Sequence, residues 1–199
     1  MNTPLNLKEL ENKAFRSFYQ DGIWDIFFGL MLLAMWGFTL FDDMENKAVR
    51  MLVMLFIEIG AMFFLIYGKK QITVPRLGEV TFGKKRKRRL LYVFLANSLS
   101  VLFIAALLVM NIADVAWLEN DTVSSVFLGV WIVFITSVMA FFLDFDRLYI
   151  YAVILGGAFT AVLLTGIEIL FLVGALLILV PGVAIFIRFL REYKPSLVE

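Results

Sequence analysis

The sequence predicts an all-α integral membrane protein with six transmembrane helices. Hydrophobic residues make up 62% of its 199 residues and charged residues 18%, whereas soluble domains contain about 45–50% and about 25%. Six separate segments are long and apolar enough to cross a bilayer, which takes about 20 helical residues. The basic residues are also distributed unevenly between alternate loops. A soluble domain of this size cannot bury so much apolar surface, so we expect lipid to cover much of it.

The predicted spans cover residues 22–41, 49–67, 90–112, 123–143, 148–165 and 167–187. The fifth span is short, and Thr165 and Gly166 form a tight turn before the sixth. We therefore expect the last two helices to form an antiparallel hairpin that crosses the membrane twice. The alternative is a re-entrant hairpin, which leaves four full spans.

The positions of the basic residues predict the orientation of the helices. Cytoplasmic loops of membrane proteins carry an excess of Lys and Arg. With the N-terminus inside, only Lys47 and Arg50 of the 18 basic residues fall in outer loops. We therefore expect an even number of spans, both termini in the cytoplasm, and a multi-pass location in the cell membrane.

The chain is predicted to have three parts. In residues 1–21, Asn6 and Glu9 have the spacing of a helix capping box, and apolar residues recur at helical intervals. This pattern indicates an amphipathic helix on the inner membrane surface, with a frayed polar tail as the alternative. Residues 22–190 form a single membrane domain, and residues 191–199 a cytoplasmic tail.

The second loop, residues 69–89, is basic and cytoplasmic in this topology. Its β-prone runs at residues 72–74 and 80–82 flank Pro75 and Gly78, which suit a turn. The pattern predicts a small β-hairpin at the membrane surface.

Six consecutive basic residues end this loop: Lys84, Lys85, Arg86, Lys87, Arg88 and Arg89. Such a block beside a span attracts anionic lipid head groups at about 1 kcal/mol per charge. The alternative is that the run only fixes the topology. We do not expect nucleic-acid binding, because no further basic or aromatic scaffold accompanies the run.

Glu58 is the most informative single residue, because it is the only charged residue between positions 51 and 68. An ionised, unpaired carboxylate at the middle of a span costs several kcal/mol. Glu58 is therefore predicted to be protonated, paired with another group, or used in function.

Other polar or irregular positions share the depth of Glu58. Counted along each span at 1.5 Å per residue, they fall about 9–14 Å above the inner membrane edge. Many transporters build binding sites from such positions near mid-depth. The predicted polar site comprises Glu58, Asn97, Ser100, Thr136, Ser137 and Pro181.

Helix packing is the alternative explanation for most of these positions. Asn, Ser and Thr often bond across helices or to their own backbone, and Pro often only kinks a helix. Gly157 and Ala161 have the small-xxx-small spacing that lets helices approach. Asp25, near the start of the first span, is explained by capping and anchoring of the helix, with an acid in a cytoplasmic vestibule as the alternative.

Several kinds of chemistry are not expected. The chain has no Cys and no His, which excludes disulfides, zinc sites built on those residues and His-dependent nucleophiles. No nucleophile–base pair or metal-ligand set is recognisable. We therefore assign no catalytic residue, cofactor or metal, and we do not expect an enzyme.

Two short motifs carry a family resemblance. The first is the run from Phe18 to Ile26, which includes Tyr19-Gln20-Asp21-Gly22 at the start of the first span, and the second is residues 72–80, after the second span. They resemble a group of small prokaryotic membrane proteins with an aromatic-x-Asp-Gly opening and a Thr-x-Pro-Arg-x-Gly-x-Val loop. The resemblance implies a shared architecture in a prokaryotic membrane and no particular activity.

The resemblance singles out six positions on the cytoplasmic side. They are Asp21, Gly22, Asp25, Pro75, Arg76 and Gly78. Arg76 is predicted to pair with Asp21 or Asp25 and so to dock the loop under the first helix.

Two functions fit these observations. The first is a transporter or channel-like protein for a cation, a proton-coupled solute or a small molecule, with Glu58 in its path. One short chain has few helices to enclose a path, so we expect a homo-oligomer. The second is a non-transporting accessory, sensor or substrate-capture subunit that acts through its cytoplasmic face on anionic lipid or on a membrane partner protein.

Overall fold

A computed structural model describes residues 19–40, 47–77 and 121–193, together with 88, 91–93, 95 and 99. All regular secondary structure within these residues is helical. In chain order the elements are α1 (Ile23–Leu40), α2 (Lys47–Gly68), a π-helical turn (Lys69–Thr73), α3 (Val74–Leu77), α4 (Asp121–Leu143), α5 (Arg147–Thr165) and α6 (Ile169–Glu192).

Five of the described helical segments are long and apolar enough to cross a membrane. They are Ile23–Leu40, Met51–Arg76, Asp121–Leu143, Arg147–Thr165 and Ile169–Glu192. They agree with five of the six predicted spans. The third predicted span, residues 90–112, lies almost wholly outside the described residues, as do the N-terminal segment before residue 19 and the tail after residue 193.

The predicted tight turn between the last two helices is confirmed. Gly166 adopts a left-handed conformation with φ 68° and donates its N–H to the carbonyl of Val162. A left-handed glycine is a common helix C-terminus. α5 and α6 contain 19 and 24 residues, so each reaches the length of a span.

The prediction of a β-hairpin is wrong for its first strand. Residues 72–74 belong to the π-helical turn and to α3, which continue α2 without a break. Short β-prone runs need a partner strand, whereas Lys69 and Thr73 here both bind one carboxylate oxygen. Residues four apart are about 6 Å apart along a helix but about 13 Å apart along a strand, so helical backbone suits this contact. The second predicted strand lies outside the described residues.

The chain divides into two compact units. One contains residues 1–82 and 175–199, and the other contains residues 83–174. In the first unit α1 is the most buried span, with Ile23, Leu32 and Ala34 at 1% exposure or less. α1 also packs on α2 at Gly37, where an added methyl group would lie 3.3 Å from Cδ1 of Ile57.

In the second unit, α4 and α5 approach each other closely at two glycines. A methyl group on Gly156 would lie 2.5 Å from the carbonyl oxygen of Gly129, and one on Gly129 would lie 1.7 Å from Oγ1 of Thr160. The Thr160 hydroxyl donates to the Gly156 carbonyl at 2.9 Å. Gly157, which the sequence pattern had singled out together with Ala161, has no described atom within 4 Å of an added methyl group. The close approach therefore uses the neighbouring glycine.

Gly156 and Gly157 form a matched pair for testing this contact. We expect Gly156→Ala to destabilise the fold by about 1–3 kcal/mol, because the new methyl group overpacks against backbone. Gly157→Ala should leave stability unchanged or raise it slightly, because it meets open space and favours the helix. Thermal unfolding of the purified variants in detergent, monitored by circular dichroism, compares the two. Equal midpoints for both variants would contradict the assigned interface.

Candidate functional site

The carboxylate of Asp21 accepts three hydrogen bonds from described residues. It stands just before α1, where Gly22 takes a positive φ of 84° and its carbonyl accepts the N–H of Ile26 at 3.0 Å. The Oδ1 atom of Asp21 accepts the N–H of Ile23 at 3.1 Å. Asp21 therefore caps the helix, and the positive end of the helix dipole favours its negative charge.

The other oxygen of Asp21 holds the end of α2. Oδ2 accepts a hydrogen bond from Nζ of Lys69 at 2.7 Å and another from Oγ1 of Thr73 at 2.5 Å. We call these three residues the Asp21 cluster. The side chains of Asp21 and Lys69 are 0% and 11% exposed, so their ion pair is almost free of solvent screening. Such a pair is costly to break, because one partner leaves a buried charge behind.

Tyr19 and the π-helical turn complete the surroundings of the cluster. The ammonium group of Lys69 lies 5.7 Å from the centroid of the Tyr19 ring, which is within cation–π range. Lys69 and Thr73 are the first and last residues of the π-helical turn. π-helical turns are rare and occur frequently at functional sites.

α6 packs against this end of α1 through backbone rather than side chains. A methyl group on Gly22 would lie 2.6 Å from both the Gly182 carbonyl oxygen and the Phe186 nitrogen. One on Gly182 would lie 2.8 Å from Cβ of Asp25. Asp25 is 0% exposed. Asp21, Gly22 and Asp25 thus lie together at the start of α1, in the first unit.

Arg76 does not supply the cation that pairs with Asp21. Its Nε donates to the backbone carbonyl of Tyr193 at 2.9 Å, and its Nη1 donates to the carbonyl of Ile72 at 3.1 Å. Arg76 therefore ties α3 to the end of α6, and Lys69 has the role in pairing with Asp21 that was predicted for Arg76. Pro75 is exposed, and Gly78 lies outside the described residues.

Glu58 lies at the edge of the packed face of α2. It is half-buried, and at helical intervals along the same face come Ala61 and Leu65, which are buried. The opposite face carries Phe56 at 81% exposure and Ile59 at 63%. The acid is therefore next to the protein-facing side of the helix.

The remaining members of the predicted polar site are divided between the two units. Thr136 is buried and Ser137 half-buried on α4, in the second unit. Pro181 is exposed on α6, in the first unit. Asn97 and Ser100 lie outside the described residues. Their assembly around Glu58 stays a prediction.

The basic run is described at one position only. Arg88 is exposed, and Lys84, Lys85, Arg86, Lys87 and Arg89 lie outside the described residues. A role in lipid binding stays a prediction.

The sequence analysis missed Lys69 and Thr73, which it assigned to a loop and to a strand. Their spacing of four residues, directly after a span, is the signal that would have placed both on one helix face. As for metals, the described residues contain no group of three or more His, Cys, Asp or Glu residues able to hold an ion.

Comparisons with protein families, curated proteins and solved structures found no match. The class of protein is therefore defined by the fold alone: within its described residues it is an all-helical chain with five helices long and apolar enough to cross a membrane.

Two adjacent lysines allow a direct test of the Asp21 cluster. We expect Lys69→Met to destabilise the fold by about 3–5 kcal/mol, because it leaves the Asp21 carboxylate buried without its cation. Lys70→Met should have an effect near zero, because Lys70 is exposed. Chemical unfolding in detergent, followed by circular dichroism, measures both variants. The assignment of Lys69 fails if the two variants unfold at the same denaturant concentration.

Proposed function

We propose that this chain is an integral protein of a prokaryotic cell membrane, with six spans and both termini in the cytoplasm. Large apolar side chains cover the outside of several helices, including Phe56 on α2, Phe141 on α4, Val153 on α5 and Val180 on α6, all more than 60% exposed. Lipid is the environment in which such surfaces are stable. The distribution of Lys and Arg supports the orientation. Residues 90–112 are the proposed third span, which brings the total to six.

We infer that the protein moves a cation, a proton-coupled solute or a small molecule across this membrane. The observation that carries this proposal is the position of Glu58. It lies in the middle of an apolar span and at the edge of the face that packs on the rest of the protein. An ionisable group inside a membrane is expensive and usually serves a pathway for ions or substrates.

Pro181, which the sequence places at the depth of Glu58, lies on α6 in the same unit. It removes one backbone hydrogen bond and so leaves the carbonyl of Leu177 available as an acceptor. A homo-oligomer would supply the additional helices that enclose a path.

The test is flux through the full-length protein in proteoliposomes. Glu58→Gln keeps the shape of the side chain and removes its charge and its titratable proton. We expect it to reduce flux about tenfold or more, or to abolish the dependence of flux on pH, because Gln can neither carry a negative charge nor release a proton at this depth.

The matched control is Glu168→Gln, which alters a carboxylate at the start of α6 and should leave flux unchanged. Both variants should show the same circular dichroism and elution volume as the wild type. Flux that survives Glu58→Gln unchanged would remove this residue from the mechanism.

A second candidate function is a membrane accessory, sensor or substrate-capture subunit. The observation that favours it is the ordered surface where α2, α3 and α6 end. Arg76 ties α3 to Tyr193, and Lys70, Arg188 and Arg191 are exposed there. We propose that these cations, and separately the run from Lys84 to Arg89, bind anionic lipid head groups or an acidic partner protein.

This second function has its own test. Replacing all six residues of the basic run by Gln should weaken pull-down of the protein by anionic vesicles. The expected loss is about 1 kcal/mol per charge removed, or about fivefold each. Vesicles of zwitterionic lipid are the control and should show no difference. Equal binding of the wild type and of this variant to anionic vesicles would contradict the lipid contact.

A further inference from the structure

Two contacts near the start of α1 differ in kind. Against α6 the helix is held backbone to backbone at Gly22 and Gly182, where not even a methyl group fits. Against the end of α2 it is held by the side chains of the Asp21 cluster. Side-chain bonds can exchange partners while both backbones stay folded, whereas the glycine contact cannot loosen without moving a helix. The Asp21 cluster is therefore the contact that can open.

Each member of the cluster has a second partner within reach. Lys69 already lies over the Tyr19 ring, and the Oδ1 atom of Asp21 keeps its bond to the N–H of Ile23. A Thr hydroxyl in a helix can turn to a carbonyl of the preceding turn. This chain uses that bond repeatedly, from Thr160 to Gly156 and from Thr165 to Ala161. Opening the cluster therefore leaves partners for Lys69, Thr73 and Oδ1 of Asp21, while Oδ2 of Asp21 loses both of its donors and is left to water.

The backbone that carries Lys69 and Thr73 is also adapted to movement. The π-helical turn interrupts the regular hydrogen bonding of α2. Pro75, two residues beyond Thr73, has no N–H to donate to the preceding turn. Beyond the turn, the tie to α6 is the bond from Arg76 to the carbonyl of Tyr193, which is exposed.

We propose that the Asp21 cluster is a conformational latch. In the closed state, which the structure describes, Lys69 and Thr73 bind Asp21. In the open state, Lys69 lies on Tyr19, Thr73 bonds to its own helix, and the π-helical turn with α3 moves away from the start of α1. α1 remains seated on α6. This device does not require the proposed role of Glu58.

The chain has no Cys, so spin labels react only with cysteines that are introduced for the purpose. Gln20 and Gln71 are exposed and lie on either side of the latch. Full-length protein with Gln20→Cys and Gln71→Cys, labelled and reconstituted in lipid nanodiscs, is measured by double electron–electron resonance. We expect a main short distance, from the closed state, and a minor longer one.

Thr73→Val removes one hydrogen bond to a charged group and keeps the shape of the side chain. It should raise the population at the longer distance relative to that at the shorter distance about tenfold, because such a bond favours the closed state by at least that factor. Thr73→Ser, which keeps the hydroxyl, and Lys70→Met, which alters an exposed neighbour, should both retain the wild-type distribution.

Two results would overturn the latch. One is a wild-type distance distribution in Thr73→Val, and the other is an equal shift in Lys70→Met. If Thr73→Val does not fold, Lys69→Arg is measured instead, because it keeps the cation but changes its geometry. A larger population at the longer distance in that variant supports the latch. An unchanged distribution contradicts it. None of these readouts involves flux, so the failure of transport would not affect the test.

Discussion

The buried ion pair between Asp21 and Lys69 is the contact on which the described arrangement of α1 and α2 depends. It joins residues 48 positions apart in the chain and satisfies a carboxylate that has no access to solvent. Because Thr73 binds the same oxygen, the segment that follows α2 must present positions 69 and 73 on one face within a few ångströms. That requirement explains why this segment is helical although its sequence favours a strand.

Glycine sets the second constraint. Where α1 meets α6, and where α4 meets α5, the backbones touch. In a bilayer, helices gain little from burying apolar side chains against each other, so close packing at small residues supplies much of the association. The large apolar side chains then point outwards, which agrees with the exposed Phe and Val residues on α2, α4, α5 and α6.

The two acids Asp21 and Glu58 differ in a way that bears on function. Asp21 accepts hydrogen bonds from three donors, one of which is the cation Lys69, so the fold neutralises its charge. Glu58 lies among apolar neighbours at the edge of a packed face. An acid in such surroundings contributes little to the stability of the fold. For this reason the proposed transport function rests on Glu58 and the proposed latch on Asp21.

Five of the predicted spans could be located from the sequence to within a few residues at most ends, although the second continues as helix to Arg76. Apolar segments of spanning length leave the backbone no alternative to a helix. The turn at Gly166 was equally local and equally predictable.

The partner of Asp21 was not predictable, because Lys69 is one of 18 basic residues in the chain and only the packing of two helices selects it. Likewise, the choice of Gly156 over Gly157 as the contact with α4 depends on how α5 is rotated, which hydrophobicity alone does not determine. The sequence by itself therefore determined the class of fold and the approximate positions of the five described spans, while the tertiary structure decided which polar groups and which glycines meet.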